Sequence, residues 1–94
     1  MSESPRSKFY KIERTIKGFA NHRRVEILFL IEKKPELSVD EIAENLGVNF
    51  VTVADHVRKL AQSGLVMKRS EGNFVRHALT SKGKTILEFC KILE

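Results

Sequence analysis

Leu37-Ser38-Val39-Asp40-Glu41-Ile42-Ala43-Glu44-Asn45-Leu46-Gly47-Val48-Asn49-Phe50-Val51-Thr52-Val53-Ala54-Asp55-His56-Val57-Arg58-Lys59-Leu60 is the stretch that decides the fold. Ser38 is followed three residues later by Glu41, the spacing of a capping box, so a helix starts here. Ile42, Ala43 and Leu46 give that helix one apolar face. Gly47 breaks it, because a left-handed residue costs glycine little. Asn49 then suits the cap of a second helix, on which Val53, Val57 and Leu60 recur at i, i+4 and i+7.

Two short helices around Gly47-Val48-Asn49 match the helix-turn-helix layout. Upstream, Ser4 is expected as an N-cap with Pro5 at the first helical position, where proline is tolerated. Phe9, Ile12, Ile16 and Phe19 form the apolar stripe of that first helix, which ends at Gly18 or at Ala20-Asn21. Asn21 caps a second helix whose centre, Val25 and Ile27 to Ile31, is apolar almost all round. Such a helix is expected at the centre of the core. Lys33 and Lys34 suit its C-terminal end and Pro35 stops it.

Downstream of Gly64 the period changes. Leu65–Ser70 and Phe74–Thr80 read as two strands joined by the turn Glu71-Gly72-Asn73. Thr80 or Ser81 caps a last helix carrying Ile86, Leu87, Phe89, Cys90, Ile92 and Leu93. The expectation is a mostly α chain with a small β-hairpin, in the order α-α-α-α-β-β-α, forming one domain over residues 1–94.

Composition narrows the function. The chain has 94 residues, 41% hydrophobic, and a formal net charge of +5. It is too apolar to be disordered and small enough that a second copy would help its thin core. A single cysteine excludes an internal disulfide, and the longest apolar run, Ile27–Ile31, is far short of a membrane span. No basic-then-apolar leader opens the sequence, so a cytoplasmic setting is expected. Residues 1–24 carry seven basic side chains against two acidic, and residues 49–79 five against two. Residues 25–48 carry six acidic against two basic. Two positive segments favour a polyanion partner; an ordinary solvated surface is the plainer alternative.

On the second helix of the pair, about residues 50–63, the face opposite Val53, Val57 and Leu60 holds Val51, Thr52, Asp55, Arg58, Lys59 and Gln62. With Asn49 and Phe50 at its start, this set can meet phosphates and base edges of double-stranded DNA. Asp55 either accepts from cytosine or pairs with Arg58 or Lys59, and the pairing is favoured. The hairpin over residues 65–80 adds Lys68, Arg69, Asn73 and Arg76, placed to reach a minor groove or flanking phosphates. Phe9, Ile12, Ile16 and Phe19 in the first helix, with Ile86, Phe89, Cys90 and Leu93 in the last (residues 81–94), are surplus to a small core. They are the expected interface of a homodimer.

From Asn21 to Leu93 the sequence resembles winged-helix transcriptional regulators of the arsenic-repressor (ArsR) type. Arg24, Ile27 and Leu28, the run Leu37-Ser38-Val39-Asp40-Glu41-Ile42-Ala43, the run Thr52 to Leu60, and Gly64-Leu65-Val66 carry the likeness. Leu79-Thr80-Ser81-Lys82-Gly83-Lys84 also resembles the multiple-antibiotic-resistance (MarR) regulators. The resemblance implies a winged helix-turn-helix fold and a homodimeric, repressor-like protein on a palindromic operator, and for His56 a structural or backbone-contact role.

This chain departs from those families in places. Ser38 and Asp40 stand where metal-sensing members carry Cys-x-Cys. The last helix has no histidine, and only Glu88 and Cys90 as candidate ligands there. Ala54 replaces a common serine, and His77 a common aromatic residue. No two of His22, His56 and His77 have ligand spacing, so no metal or cofactor is expected. Cys90 reads as a small buried hydrophobe, with oxidative cross-linking of two chains as the alternative. No activated nucleophile or paired-carboxylate site points to an enzyme. A weakly specific DNA-coating protein and a winged-helix module that binds protein remain alternative readings, and no effector is indicated.

Overall fold

The computed structural model describes residues 5–94. The expected Ser4 cap lies outside the described residues. Five helices and one hairpin follow in the expected order: α1 (Pro5–Phe19), α2 (His22–Lys33), α3 (Val39–Leu46), α4 (Phe50–Gln62), β1 (Val66–Glu71), β2 (Phe74–Leu79) and α5 (Ser81–Ile92).

The caps explain the boundaries. Asn21 accepts hydrogen bonds from the backbone N–H groups of Arg23 and Arg24, which starts α2. Ser38 and Glu41 complete a reciprocal capping box on α3. Asn49 accepts from the N–H groups of Val51 and Thr52 at the start of α4, and Thr80 accepts from Gly83 N–H at the start of α5. Gly47 closes α3 with φ 64° in the left-handed region, where a Cβ would be strained.

The core gathers around α2, as its all-round apolar centre predicts. Ile27, Leu28 and Ile31 of α2 meet Ile42, Val53, Val57, Leu60, Leu65 and Leu87, all of them buried. Each removes apolar side-chain surface from water, roughly 1.5–3 kcal/mol for a fully buried aliphatic side chain. The antiparallel hairpin pairs Val66 with Leu79 at its base and Glu71 with Phe74 at its tip, leaving Gly72-Asn73 as a two-residue turn. Only its base is buried. Its root is fastened to the α2–α3 connection: His77 N–H donates to the Leu37 carbonyl at 3.0 Å, and Glu36 N–H to the His77 carbonyl at 3.0 Å.

α1 approaches the end of α4 through a glycine. A Cβ at Gly18 would stand 1.9 Å from Ser63 Oγ and 2.4 Å from Ser63 Cβ. No side chain fits there while the two helices keep their spacing. Gly18→Ala is therefore expected to cost about 1–3 kcal/mol by overpacking, seen as a lower Tm. Adding Ser63→Gly opens the space and should restore part of the loss. Additive losses in the double variant would show that this contact does not set the spacing.

Candidate nucleic-acid interface

The expected contact residues fall into two groups at opposite ends of α4. At its start, the Asn49 cap leaves Phe50, Val51 and Thr52 facing outward, with Val51 72% exposed. The hairpin tip comes up beside them. Phe50, Asn73, Phe74 and Arg76 line one groove of about 530 Å³ with Ser38 to Glu41 of α3. At the other end, Lys59 and Gln62 turn towards α1 and line a separate cleft.

The cations along α4 and on the hairpin are largely spoken for. Asp55 is in hydrogen-bond contact with the Arg58 guanidinium and lies 3.2 Å from Lys59 Nζ. Of the two readings of Asp55, the intramolecular pair is therefore present. Those hydrogen bonds, Arg58 first and Lys59 second, hold its carboxyl below the usual range. On the hairpin, Arg69 stands directly across from Arg76. Like charges so placed repel, and two carboxylates relieve them. Glu71 lies 2.9 Å from Arg69 and 3.5 Å from Arg76, while Glu36 reaches Arg69 at 2.7 Å. Arg76 also donates to the Glu36 carbonyl at 3.1 Å. Lys68 is exposed and has no ion pair among the described residues.

Some residues of this surface carry no signal in the one-dimensional pattern. Phe74, 58% exposed at the hairpin tip with the Arg76 guanidinium 5.6 Å from its ring centre, reads in sequence as an ordinary strand residue. Glu36 adopts φ 71°, which no turn motif in the sequence announces. Arg24 is the least legible. Its Nε donates to His56 Nδ1 at 3.1 Å, and its Nη1 donates to the carbonyls of Lys17 at 3.1 Å and Gly18 at 3.3 Å. One side chain of α2 thus joins the end of α1 to α4. His56 takes a structural part here.

The expected dimer residues divide as well. Phe19 and Cys90 are buried within the single chain, and Ile86 packs partly against the same core. Phe9, Ile12, Ile16, Phe89 and Leu93 are exposed. Phe19, Cys90 and Leu93 line an apolar hollow of about 340 Å³ together with Val25 and Phe29 of α2. Burial pushes the Cys90 thiol up, away from the reactive thiolate. Among the described residues no group of three or more His, Cys, Asp or Glu is placed to hold a metal ion. No helix among them is long and apolar enough to cross a membrane.

Helix, turn, helix and flanking hairpin now stand in one geometry, and residues 21–67 match the family described as winged helix-turn-helix DNA-binding. The chain belongs to that family. Its fold matches the homodimeric winged helix-turn-helix DNA-binding domain of a possible ArsR-family transcriptional regulator from Mycobacterium bovis. The two share 26% identity and a TM-score of 0.85, over 99% of this chain and 88% of that one. Transcriptional activator HlyU of Vibrio cholerae is 35% identical over 66 residues, 70% of this chain and 60% of that protein. An uncharacterised protein of Methanocaldococcus jannaschii is 41% identical over 54 residues, 57% of this chain and 20% of that protein. The chain thus spans less than two thirds of each of these two curated relatives. The ArsR-type likeness read from residues 21–93 agrees with the regulators among them.

The two inner histidines of the winged helix predict a pH response. Burial, then the Arg24 charge, pushes His56 down, and burial pushes His77 down although its Nδ1–H donates to the Leu37 carbonyl at 2.8 Å. A proton arriving at His56 Nδ1 would face the Arg24 N–H. The unfolded chain, with histidines near about 6.5, therefore binds protons before the folded one does. Stability should be full above about pH 7 and fall as pH drops through about 6.5, before carboxylates titrate. Thermal melts from about pH 7.5 to 5.5 check this. His56→Asn, which keeps an acceptor for Arg24, should flatten the slope; an unchanged slope would contradict it.

Proposed function

We propose that the chain is a double-stranded-DNA-binding transcriptional regulator that acts as a homodimer. Phe50–Gln62 enters the major groove, and the hairpin contacts flanking phosphates or the minor groove. It acts by binding rather than by catalysis, and in the cytoplasm. The observation that carries this reading is the placement of the exposed start of α4 beside the exposed hairpin tip. A recognition helix reads base edges with its N-terminal residues, and here those are Phe50, Val51 and Thr52. Val51 offers methyl groups to a thymine methyl, and Thr52 a hydroxyl to base or phosphate.

A second copy covers the exposed apolar faces of α1 and α5. Phe9, Ile12 and Ile16 lie on α1, and Phe89, Ile92 and Leu93 on and just after α5, a large amount of apolar surface to leave in water. The relative from Mycobacterium bovis is a homodimer, which supports the reading. An isologous pair would set two recognition helices about 34 Å apart, one turn of DNA. Phe89→Asp combined with Leu93→Asp should give a monomer in sedimentation and weaken binding to a selected two-half-site duplex by at least about 10-fold, roughly 1.4 kcal/mol. A wild-type monomer at tens of micromolar protein would overturn the dimer.

Fluorescence anisotropy with a labelled random duplex tests the DNA reading. Affinity should fall on the order of 10³-fold or more between about 50 and 200 mM salt if several phosphates are contacted. Absence of binding at the lower salt would overturn it.

Asp55→Asn separates the two uses of that carboxylate. Releasing Arg58 and Lys59 and removing a negative charge from the helix face should raise random-duplex affinity several-fold and steepen the salt slope by about 1–2 units. Weaker binding confined to one base position would instead mark Asp55 as a base reader.

A further inference from the structure

The cleft between α1 and the C-terminal end of α4 holds about 710 Å³ and is lined by cations from three helices. Arg14 and Lys17 come from α1, Arg24 from α2 and Lys59 from α4, against one carboxylate, Glu13. Two of these cations are committed. Arg24 is bonded to His56 and to the terminal carbonyls of α1, and Lys59 is paired with Asp55. Lys17 has only a loose 3.7 Å contact with Glu13, and Arg14 forms no ion pair among the described residues. The walls are fixed by the Gly18–Ser63 contact and the Arg24 bonds, so the two side chains of α1 are carried on a held helix.

Position decides what anion reaches them. α4 has 13 residues, about 20 Å of helix, while the major groove is about 12 Å wide. With Phe50 to Thr52 at the base edges and α4 lying across the groove, its last turn would come over the sugar-phosphate strand that bounds it. Lys59 and Gln62 of that turn line the cleft. On α1, at 100° per residue, Tyr10, Arg14 and Lys17 centre roughly 130° from the exposed stripe of Phe9, Ile12 and Ile16. A partner chain on that stripe therefore leaves the basic face open.

We infer that this cleft is a second DNA contact, in which Arg14 and Lys17 of α1 hold phosphates of the backbone strand flanking the groove. The inference rests on the DNA-binding reading. It makes α1 bifunctional, with one face for the partner and one for DNA, so that forming the dimer sets the angle at which the second contact meets the strand. Tyr10 adds a phenol donor at the mouth.

Arg14→Ala/Lys17→Ala in the full chain tests it, by anisotropy on a random duplex from about 50 to 200 mM salt. Loss of two phosphate contacts should make the slope of log K against log salt shallower by about 1.8, with Tm and sedimentation unchanged. An unchanged slope, while the unsubstituted chain binds, overturns the inference and leaves the DNA reading standing. Failure of the unsubstituted chain to bind overturns both. Inorganic phosphate titrated into the chain, with the double variant as control, reports on the other source of the same chemistry. Saturable binding lost in the variant, together with an unchanged DNA slope, assigns the cleft to a free anion and overturns the DNA contact.

Discussion

The geometry of the molecule turns on the Arg24 guanidinium. A helix–turn–helix pair packs against α2 through apolar contacts, which are non-directional and fix no angle by themselves. Arg24 supplies direction. It gives one N–H to His56 on α4 and another to two carbonyls at the end of α1, groups that the last turn of a helix leaves without an intrahelical donor. α1 is the helix with most exposed apolar surface, and α4 is the helix with the exposed reading face. The orientation of one relative to the other is what a dimer would transmit to DNA, and a charged, multidentate side chain holds it more specifically than packing alone.

The hairpin obeys a similar constraint. Two strands alone are marginal in water. This pair gains a partial third strand from Glu36 and Leu37, which bond to both backbone groups of His77. Glu36 accepts a left-handed backbone at this junction, and its carboxylate pairs with Arg69 while its carbonyl accepts from Arg76. A strained residue persists where its surroundings over-determine it, and here three separate bonds do so. The root of the hairpin is thereby placed relative to α3 and the start of α4, and its tip lines one groove with Phe50.

What the sequence made legible is local. Asn21, Ser38, Asn49 and Thr80 announce the helix starts because a cap is a contact between residues two or three apart. Gly47 announces the turn for the same reason. Val53, Val57 and Leu60 declare the buried face of α4 by period alone. The Asp55 pairing belongs to this class, since its partners lie three and four residues on. Contacts that join elements leave no such trace. Arg24 and His56 are 32 residues apart, and Arg76 is 40 from the carbonyl it binds. The stripe on α5 shows the limit from the other side. Periodicity put Cys90 with Phe89 and Leu93, yet Cys90 is buried against the chain's own core and the other two are exposed, because helical period identifies an apolar face without saying how many partners divide it.

Formal charge is accordingly a poor guide to how this surface would meet a polyanion. The formal net charge is +5, but Arg58, Lys59, Arg69 and Arg76 all face carboxylates of their own chain. At distances well beyond the few ångströms between partners such pairs look nearly neutral to a phosphate, and salt screens what remains over about 8–10 Å. The field that draws a duplex in would then come more from cations without an ion pair among the described residues, Arg14 and Lys68 among them, while the paired cations exchange partners only when a phosphate or base edge is positioned well enough to compete. An arrangement of that kind weakens indiscriminate binding more than well-registered binding, since only the latter compensates for separating each pair. Specificity in a chain this small would rest on its carboxylates as much as on its arginines.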